Sequence, residues 1–186
     1  MAEPEFSSLN TGRLTLRRLR RADLVPYLEY LNDPIVARYQ TWESYSEARA
    51  SETILEQATL EPGLPGQPFL FAVELKETAT IIGHVVLSVL EKDHLQAEIG
   101  FTFACEYHGR GLAREAAARV LEYAFSELQL HRVIAITDCE NLSSIALLGR
   151  LGMRREGHFL QNIWFKGKWG DEYLYAILSH ELPVTP

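Results

Sequence analysis

The stretch HGRGLAREAAA, residues 108–118, sets two glycines around an arginine and runs directly into alanine-rich sequence of helical character. The start of a helix carries backbone N–H groups without intrahelical partners and the positive end of the helix dipole, and together these hold phosphate oxygens. Gly109 and Gly111 let a backbone come close to such an anion, and Arg110 and Arg114 add charge beside it; the same two glycines equally suit a tight turn before a helix. The triphosphate pattern G-x-x-x-x-G-K-[ST] is absent, and the dinucleotide pattern G-x-G-x-x-G fails because Arg114 occupies its last position. Other residues able to do chemistry are dispersed. Glu98 stands on the polar side of an alternating segment, where a solvated strand position is the competing role. Asn141 and Ser144 open a short helical stretch, where a cap and a first-turn polar residue are the ordinary readings. Cys105 and Cys139 resemble neither a disulfide framework nor a metal pair and read as small buried hydrophobes, and the six histidines show no metal-ligand spacing.

The elements that must position these residues follow from periodicity. RLTLRRL (13–19) alternates as a strand, and ADLVPYLEYLND reads as a helix with Asp23 as its cap, Pro26 in its first turn and Asn32-Asp33-Pro34 as its end. A second helix begins near Ser46 with Ala50, Ile54 and Ala58 in phase, and LEPGLPGQP (60–68) stops it. FLFAVEL, TIIGHVVLSVL and HLQAEIGFTF are three strands in close succession, expected to pair antiparallel. In the third, Leu95, Ala97, Ile99, Phe101 and Phe103 share one face, and Gln96, Glu98, Gly100 and Thr102 the other.

Beyond the glycines, Ala113, Ala116, Ala117, Val120, Leu121, Ala124, Phe125 and Leu128 recur as the apolar stripe of a helix. HRVIAIT is a strand, NLSSIALLGRLG a compact helix stopped by Gly152, and REGHFLQNIWF with DEYLYAIL a closing hairpin turned at Lys166-Gly167-Lys168. A meander, a strand–helix–strand crossover, a helix and a hairpin make an α+β (mixed α/β) fold with one central sheet. With 186 residues and 47% hydrophobic content, one domain over 1–186 is expected, its ends at 1–10 and 181–186 frayed.

A formal charge of −7 excludes a protein that coats nucleic acid, an affinity that depends on many Lys and Arg contacts to phosphate. No apolar run reaches the length of a membrane span, and MAEPEFSSLN lacks the basic start and apolar core of a signal peptide, so a cytoplasmic protein is expected.

The segment AEIGFTFACEYHGRGLAREAAARVLEYAFSELQLHRVIAITDCENLSSIALLGRLGMRREG resembles the core of the GCN5-related N-acetyltransferases (GNAT superfamily). The family's loop pattern [QR]-x-x-G-x-[GA] is met by Gly111 and Ala113, with His108 departing from it at the first position. GRLTLRRL and WGDEYLYAIL extend the similarity to nearly the whole chain and to the branch of ribosomal-protein N-terminal (RimJ/RimL-type) acetyltransferases. The resemblance implies a mostly antiparallel twisted sheet whose strands splay where acetyl-coenzyme A binds, and direct transfer of acetyl to a primary amine in a ternary complex. It places the pyrophosphate on the amides of His108, Gly109, Arg110, Gly111, Leu112 and Ala113, and the thioester along Phe101, Thr102 and Phe103. Asn141 would hold the pantetheine, Ser144 would assist the departing thiolate, and Glu98 would serve as base. Asp171 and Tyr173 fall where the branch shapes its substrate cleft, with exposure and packing as their ordinary roles. Cys105 as a covalent acyl carrier conflicts with direct transfer.

An acetyl-CoA-dependent enzyme with no metal, acting on a small amine or a protein N-terminus, is therefore expected, with a homodimer expected only by resemblance. A non-catalytic acyl-CoA sensor of the same fold is the alternative.

Overall fold

The computed structural model describes residues 6–182. Eight strands form one sheet in the order β1-β2-β3-β4-β5-β6-β8-β7. They are β1 (Ser8–Asn10), β2 (Leu14–Arg17), β3 (Phe69–Leu75), β4 (Thr80–Val89), β5 (Gln96–Phe103), β6 (Arg132–Asp138), β7 (Arg154–Phe165) and β8 (Lys168–Leu178). Every neighbouring pair is antiparallel except β5 with β6, which are parallel and joined by the crossover helix α4 (Leu112–Ser126). The mixed α/β architecture expected from the sequence is observed.

Helix α4 lies on one face, where Ala116, Ala117, Val120, Leu121 and Ala124 are buried in the main core with Phe69, Phe71 and Ile99 of the sheet. Each large apolar side chain sealed this way contributes roughly 1.5–3 kcal/mol. The opposite face of the β3–β4 half is covered by α1 (Leu24–Leu31) and α3 (Glu47–Gln57), which bury Tyr27, Tyr30, Leu31, Ala50 and Ile54 against Leu70, Ala72 and Ile81. Covered on both sides, β3 is a continuous apolar run, FLFAV, rather than an alternating one. The β7–β8 hairpin closes through Lys166 and Gly167, both at positive φ, as a two-residue turn between right-twisted strands requires.

The structure corrects four expectations. Residues 6–10 are not frayed: Ser8–Asn10 pairs with β2, and Phe6 packs edge-on to Phe69 and Phe71. Residues 1–5 and 183–186 lie outside the described residues. Asp23 does not cap α1 with its side chain; it is buried against Arg17 and accepts the Arg20 N–H at 2.7 Å, closing the turn before the helix. Asn32-Asp33-Pro34 ends α1 but also starts a short helix, α2 (Pro34–Ala37), capped by Asp33. In α3, Gln57 rather than the exposed Ala58 is the buried residue, because its side chain bonds Pro68 C=O and Leu70 N–H.

Candidate active site

The parallel ladder between β5 and β6 is three residues long and ends at Glu98 opposite Ile134. Beyond it β5 stays paired with β4 as far as Phe103, while β6 stays paired with β8 as far as Asp138. Each strand is held by its other partner, so the sheet splits into two halves along their C-terminal ends. A cavity of about 330 Å³ lies in and beside the split, bordered by Ile99–Thr102 of β5, Ala135–Asp138 of β6, and Asn141 and Ser144.

Backbone direction decides which peptide groups face that gap. Leu90 N–H donates to Gln96 C=O, and Ala104 N–H to Ile82 C=O, both at 2.9 Å, at the two ends of the β4–β5 ladder. Peptide groups alternate along a strand, so even-numbered residues of β5 turn theirs toward β4 and odd-numbered residues turn theirs away. The peptide groups of Phe101 and Phe103 therefore point into the split. Thr102 is different: its amide points to β4, and its side chain sits on the opposite face, where Gln40 Nε2 donates to Oγ1 at 3.4 Å. Of the three residues read as a thioester-binding strand, Thr102 offers no backbone donor to the gap.

From Phe103 the chain makes a 3-10 turn over Cys105–Tyr107 and enters the glycine loop. His108 Nε2 donates to Phe103 C=O at 2.9 Å, clamping the loop to the end of β5, a task that a glutamine or arginine is not needed for. Gly109 and Gly111 have φ of +73° and +76°, and an added Cβ at Gly109 would meet nothing within 4 Å, so conformation rather than space calls for glycine. Gly111 occupies the N-cap of α4 without a side-chain cap, and the first intrahelical bond is from Glu115 N–H to Gly111 C=O. The amides at the helix start thus remain available, exposed at Gly109–Gly111. Glu115 in that first turn is held down from the ordinary carboxylate range by Thr11, the Arg13 backbone and the Arg13 guanidinium, burial opposing them. Arg110 stacks on Tyr107, and Arg114 Nε donates to Arg150 C=O at 3.2 Å, joining α4 to the end of the next helix.

That helix, α5 (Leu142–Arg150), forms the other wall. Asn141 is its N-cap, its Oδ1 accepting Ser144 N–H at 3.2 Å. The Asn141 Nδ2 and Ser144 Oγ make no hydrogen bond among the described residues, and both residues border the cavity.

On the far side from α4 and α5 the cavity is walled by residues 39–42, His84, Ile163, Phe165 and Glu172. Lys166 Nζ donates to Ala37 C=O at 2.7 Å and Tyr39 Oη to Glu140 C=O at 3.1 Å, so the segment after α2 is pinned across the split to the other half of the sheet. This wall is acidic, with Asp138 and Glu172 on it. Glu98 is half-buried and stands just behind it, opposite Ser88 and Ile134; its carboxyl is pushed up by burial and then by the Glu172 carboxylate. Burial pushes the Cys105 thiol up as well, with Asp33 adding to it, which is the reverse of an activated nucleophile.

Of the residues read from the sequence, Phe101, Thr102, Asn141 and Ser144 border this cavity, whereas Phe103, the last residue of β5, and the glycine loop that follows do not line it. Asp171 and Tyr173 do not border the cavity: Asp171 Oδ1 accepts Gln161 N–H at 2.8 Å, Tyr173 lies under Arg155, and the cleft residue is Glu172 between them. Residues 39–42 and His84 were not legible as site residues; the one signal is a histidine inside the apolar run TIIGHVVLSV. Among the described residues no group of three or more His, Cys, Asp or Glu side chains could hold a metal ion, and no helix is long and apolar enough to cross a membrane.

Residues 13–154 match a family model described as an acetyltransferase (GNAT) domain. The chain is 35% identical over 173 residues to an uncharacterized N-acetyltransferase, YnaD, of Bacillus subtilis, covering 93% of this chain and 98% of YnaD. Spermidine N-acetyltransferase from Vibrio cholerae, solved in complex with CoA and spermine, superposes with a TM-score of 0.79 at 27% identity over 92% of this chain and 98% of that one. RimJ from Mycobacterium smegmatis, solved with CoA-disulfide, superposes with a TM-score of 0.81 at 25% identity over 96% of this chain and 89% of that one.

Proposed function

The chain belongs to the GNAT acetyltransferases, and from that premise we propose that it moves the acetyl group of acetyl-coenzyme A directly onto a primary amine bound in the acidic half of the split. The observation that carries the proposal is the end of the β5–β6 ladder, which leaves the Phe101 peptide group turned toward a cavity that Phe101 and Ser144 both border. A strand edge of unpaired amides suits the pantetheine arm and a carbonyl oxygen that gains negative charge. The positive-φ loop and uncapped start of α4 suit a pyrophosphate. One domain over residues 1–186, working in the cytoplasm, belongs to the same proposal.

Acetyl-coenzyme A supplies an activated acetyl group on a leaving thiolate whose thiol has a pKa of about 8.5, so stabilising that anion asks little of the protein. Ser144 Oγ provides a hydrogen bond there, and Asn141 Nδ2 orients the arm while its Oδ1 holds the serine amide. The Phe101 N–H, with that of Phe103 beside it, stabilises the carbonyl oxygen; the Gly109–Ala113 amides, helped by Arg110, hold the phosphates. Glu98 receives the proton of the amine through water, since Glu98 itself stands behind the cavity wall. An α-amine of pKa about 7.8 is roughly one-tenth neutral at pH 7, whereas an amine of pKa about 10.4 is neutral about once in 2,500, so the second kind depends on Glu98 far more.

Asp138, Glu172 and Glu98 favour a cationic acceptor. Both a polyamine and the N-terminus of a protein fit that charge, and the spermidine N-acetyltransferase named above was solved with spermine. The Trp164–Trp169 edge-on pair, 61% and 55% exposed on the hairpin, is the apolar surface on which a homodimer would form.

Release of thiol from acetyl-coenzyme A, measured across diamines, polyamines and N-terminal peptides, tests the reading. Turnover with one class of amine supports it. Coenzyme binding without turnover across the whole panel would identify a non-catalytic sensor instead.

A further inference from the structure

His84 stands in the middle of β4 on the acceptor side of the cavity, directly opposite Thr102, and is 6% exposed. Its Nδ1 lies 2.7 Å from Tyr30 Oη. Tyr30 is buried, and among the described residues its hydroxyl has no other partner. If Nδ1 carried the ring proton, the single phenol proton would be left in the core with no acceptor, an arrangement native interiors avoid. Tyr30 therefore donates to Nδ1, and this network assigns the ring proton to Nε2. Nε2 has no partner among the described residues and is not sealed in protein, so it opens to the cavity. The ring is held in place by Tyr27 and Tyr30, with centroids 5.9 and 5.8 Å away. Burial pushes its pKa down to about 4, so it presents an uncharged N–H near neutrality.

A fixed N–H donor cannot take a proton from an amine or bind an ammonium; its complement is an oxygen. The hydroxyl across the ladder is not its partner: the bond at Thr102 Oγ1 comes from Gln40 Nε2, at 3.4 Å. We infer that His84 is a specificity-determining residue: its Nε2–H bonds an oxygen carried next to the amine of the acceptor, as in the first carbonyl of a peptide or amino-acid amide, and disfavours amines without one. The inference rests on the acetyl-transfer reading and narrows it toward α-amino carbonyl acceptors over polyamines.

The test compares wild type, His84→Ala and His84→Gln on two acceptors of equal chain length and charge, one with a carbonyl beside the reacting amine and one with a methylene there. His84→Ala should lower kcat/KM by about 10–100-fold for the carbonyl acceptor and by less than about threefold for the other, with partial recovery in His84→Gln, which keeps a donor. Equal losses on both acceptors would mean a merely structural histidine and would overturn the inference. Should the variants not fold, wild type decides: rates corrected for the neutral fraction of each amine must favour the carbonyl acceptor, and the opposite preference overturns the inference. Calorimetric binding of coenzyme A separates the two levels. Intact binding with no turnover of either acceptor sinks the acetyl-transfer reading and this one with it, whereas turnover without His84-dependent discrimination sinks only the latter.

Discussion

Asn141 and Ser144 are joined by a single bond, from the Ser144 backbone N–H to Asn141 Oδ1 at 3.2 Å. It begins α5 and at the same time sets the serine on the cavity wall, so the helix cap and the placement of Ser144 beside the cavity are one interaction here. The two ordinary readings of these residues and their functional ones are therefore compatible: capping uses Oδ1 and leaves Nδ2 and Ser144 Oγ for a ligand.

The two substitutions should separate accordingly. Ser144→Ala keeps the cap and should lower kcat about tenfold or more while thermal stability and coenzyme A affinity hold, because only a transition-state contact is lost. Asn141→Ala should lower kcat and also cost about 1 kcal/mol of stability as a lost cap. Thiol-release kinetics beside thermal melts distinguish them; a Ser144→Ala enzyme with unchanged kcat removes the serine from the mechanism.

Glycine matters at two positions for different reasons. At Gly111, φ is +76°, and alanine there should cost about 1–2 kcal/mol and raise the KM for acetyl-coenzyme A as the loop relaxes. At Gly83 an added Cβ would lie 2.4 Å from Thr102 C=O and 2.7 Å from Phe103 Cδ1, so alanine would prise β4 from β5 beneath the site. Urea unfolding should show a loss of about 3 kcal/mol for Gly83→Ala. A Gly83→Ala protein as stable as wild type contradicts the contact.

Glu98 links activity and stability to pH. Its folded pKa is raised, by burial and by Glu172, so its stabilising contribution is present below the unfolded pKa and is lost as pH rises through the raised value. Glu98→Gln should therefore raise the melting temperature at pH 8 with little change at pH 4. It should also slow acetylation of strongly basic amines more than of α-amines. Glu172→Gln should shift the acid limb of kcat/KM toward the ordinary carboxylate range, and an unmoved limb would mean that Glu98 is not the group being titrated.

Cys105 sits between the cavity strand and the glycine loop, but its thiol is disfavoured as an anion. Cys105→Ser should retain turnover within about twofold of wild type, and no acetyl-enzyme should be trapped by mass spectrometry in the absence of amine.

Arg17 is buried between Asp23 at 2.7 and 2.9 Å and Glu74 at 2.7 Å, a charge cluster that joins β2 to the turn before α1. Arg17→Met strands two carboxylates and should cost about 3–5 kcal/mol in urea unfolding without altering the KM for acetyl-coenzyme A in the folded fraction.

Much of the architecture could be read locally, because local chemistry sets it. Runs of β-branched and aromatic residues marked β3 and β4, alternation marked β5, the alanine stripe marked α4, and Gly109 and Gly111 marked a turn into that helix, which they make at positive φ. The Asn-x-x-Ser pair fell on a helix start because a cap and its partner are three residues apart in any helix. The ligand gap was legible only by resemblance, since nothing in the residues of β5 or β6 announces where their pairing stops. That is decided by β4 and β8, which each hold one strand in a long antiparallel ladder and pull a three-residue parallel contact apart beyond Glu98. The acceptor wall had no local signature either. Residues 39–42, His84 and Glu172 come from three separate parts of the chain, and contacts such as Lys166 to Ala37, 129 residues apart, make them one surface. Sequence by itself determined most of the strands and helices and the glycine turn before α4, whose causes lie within a few residues. Which donors face the gap, and that Tyr30 leaves His84 with an N–H aimed into it, were decided by folding, because a peptide group or an imidazole has a direction only once its neighbours are in place.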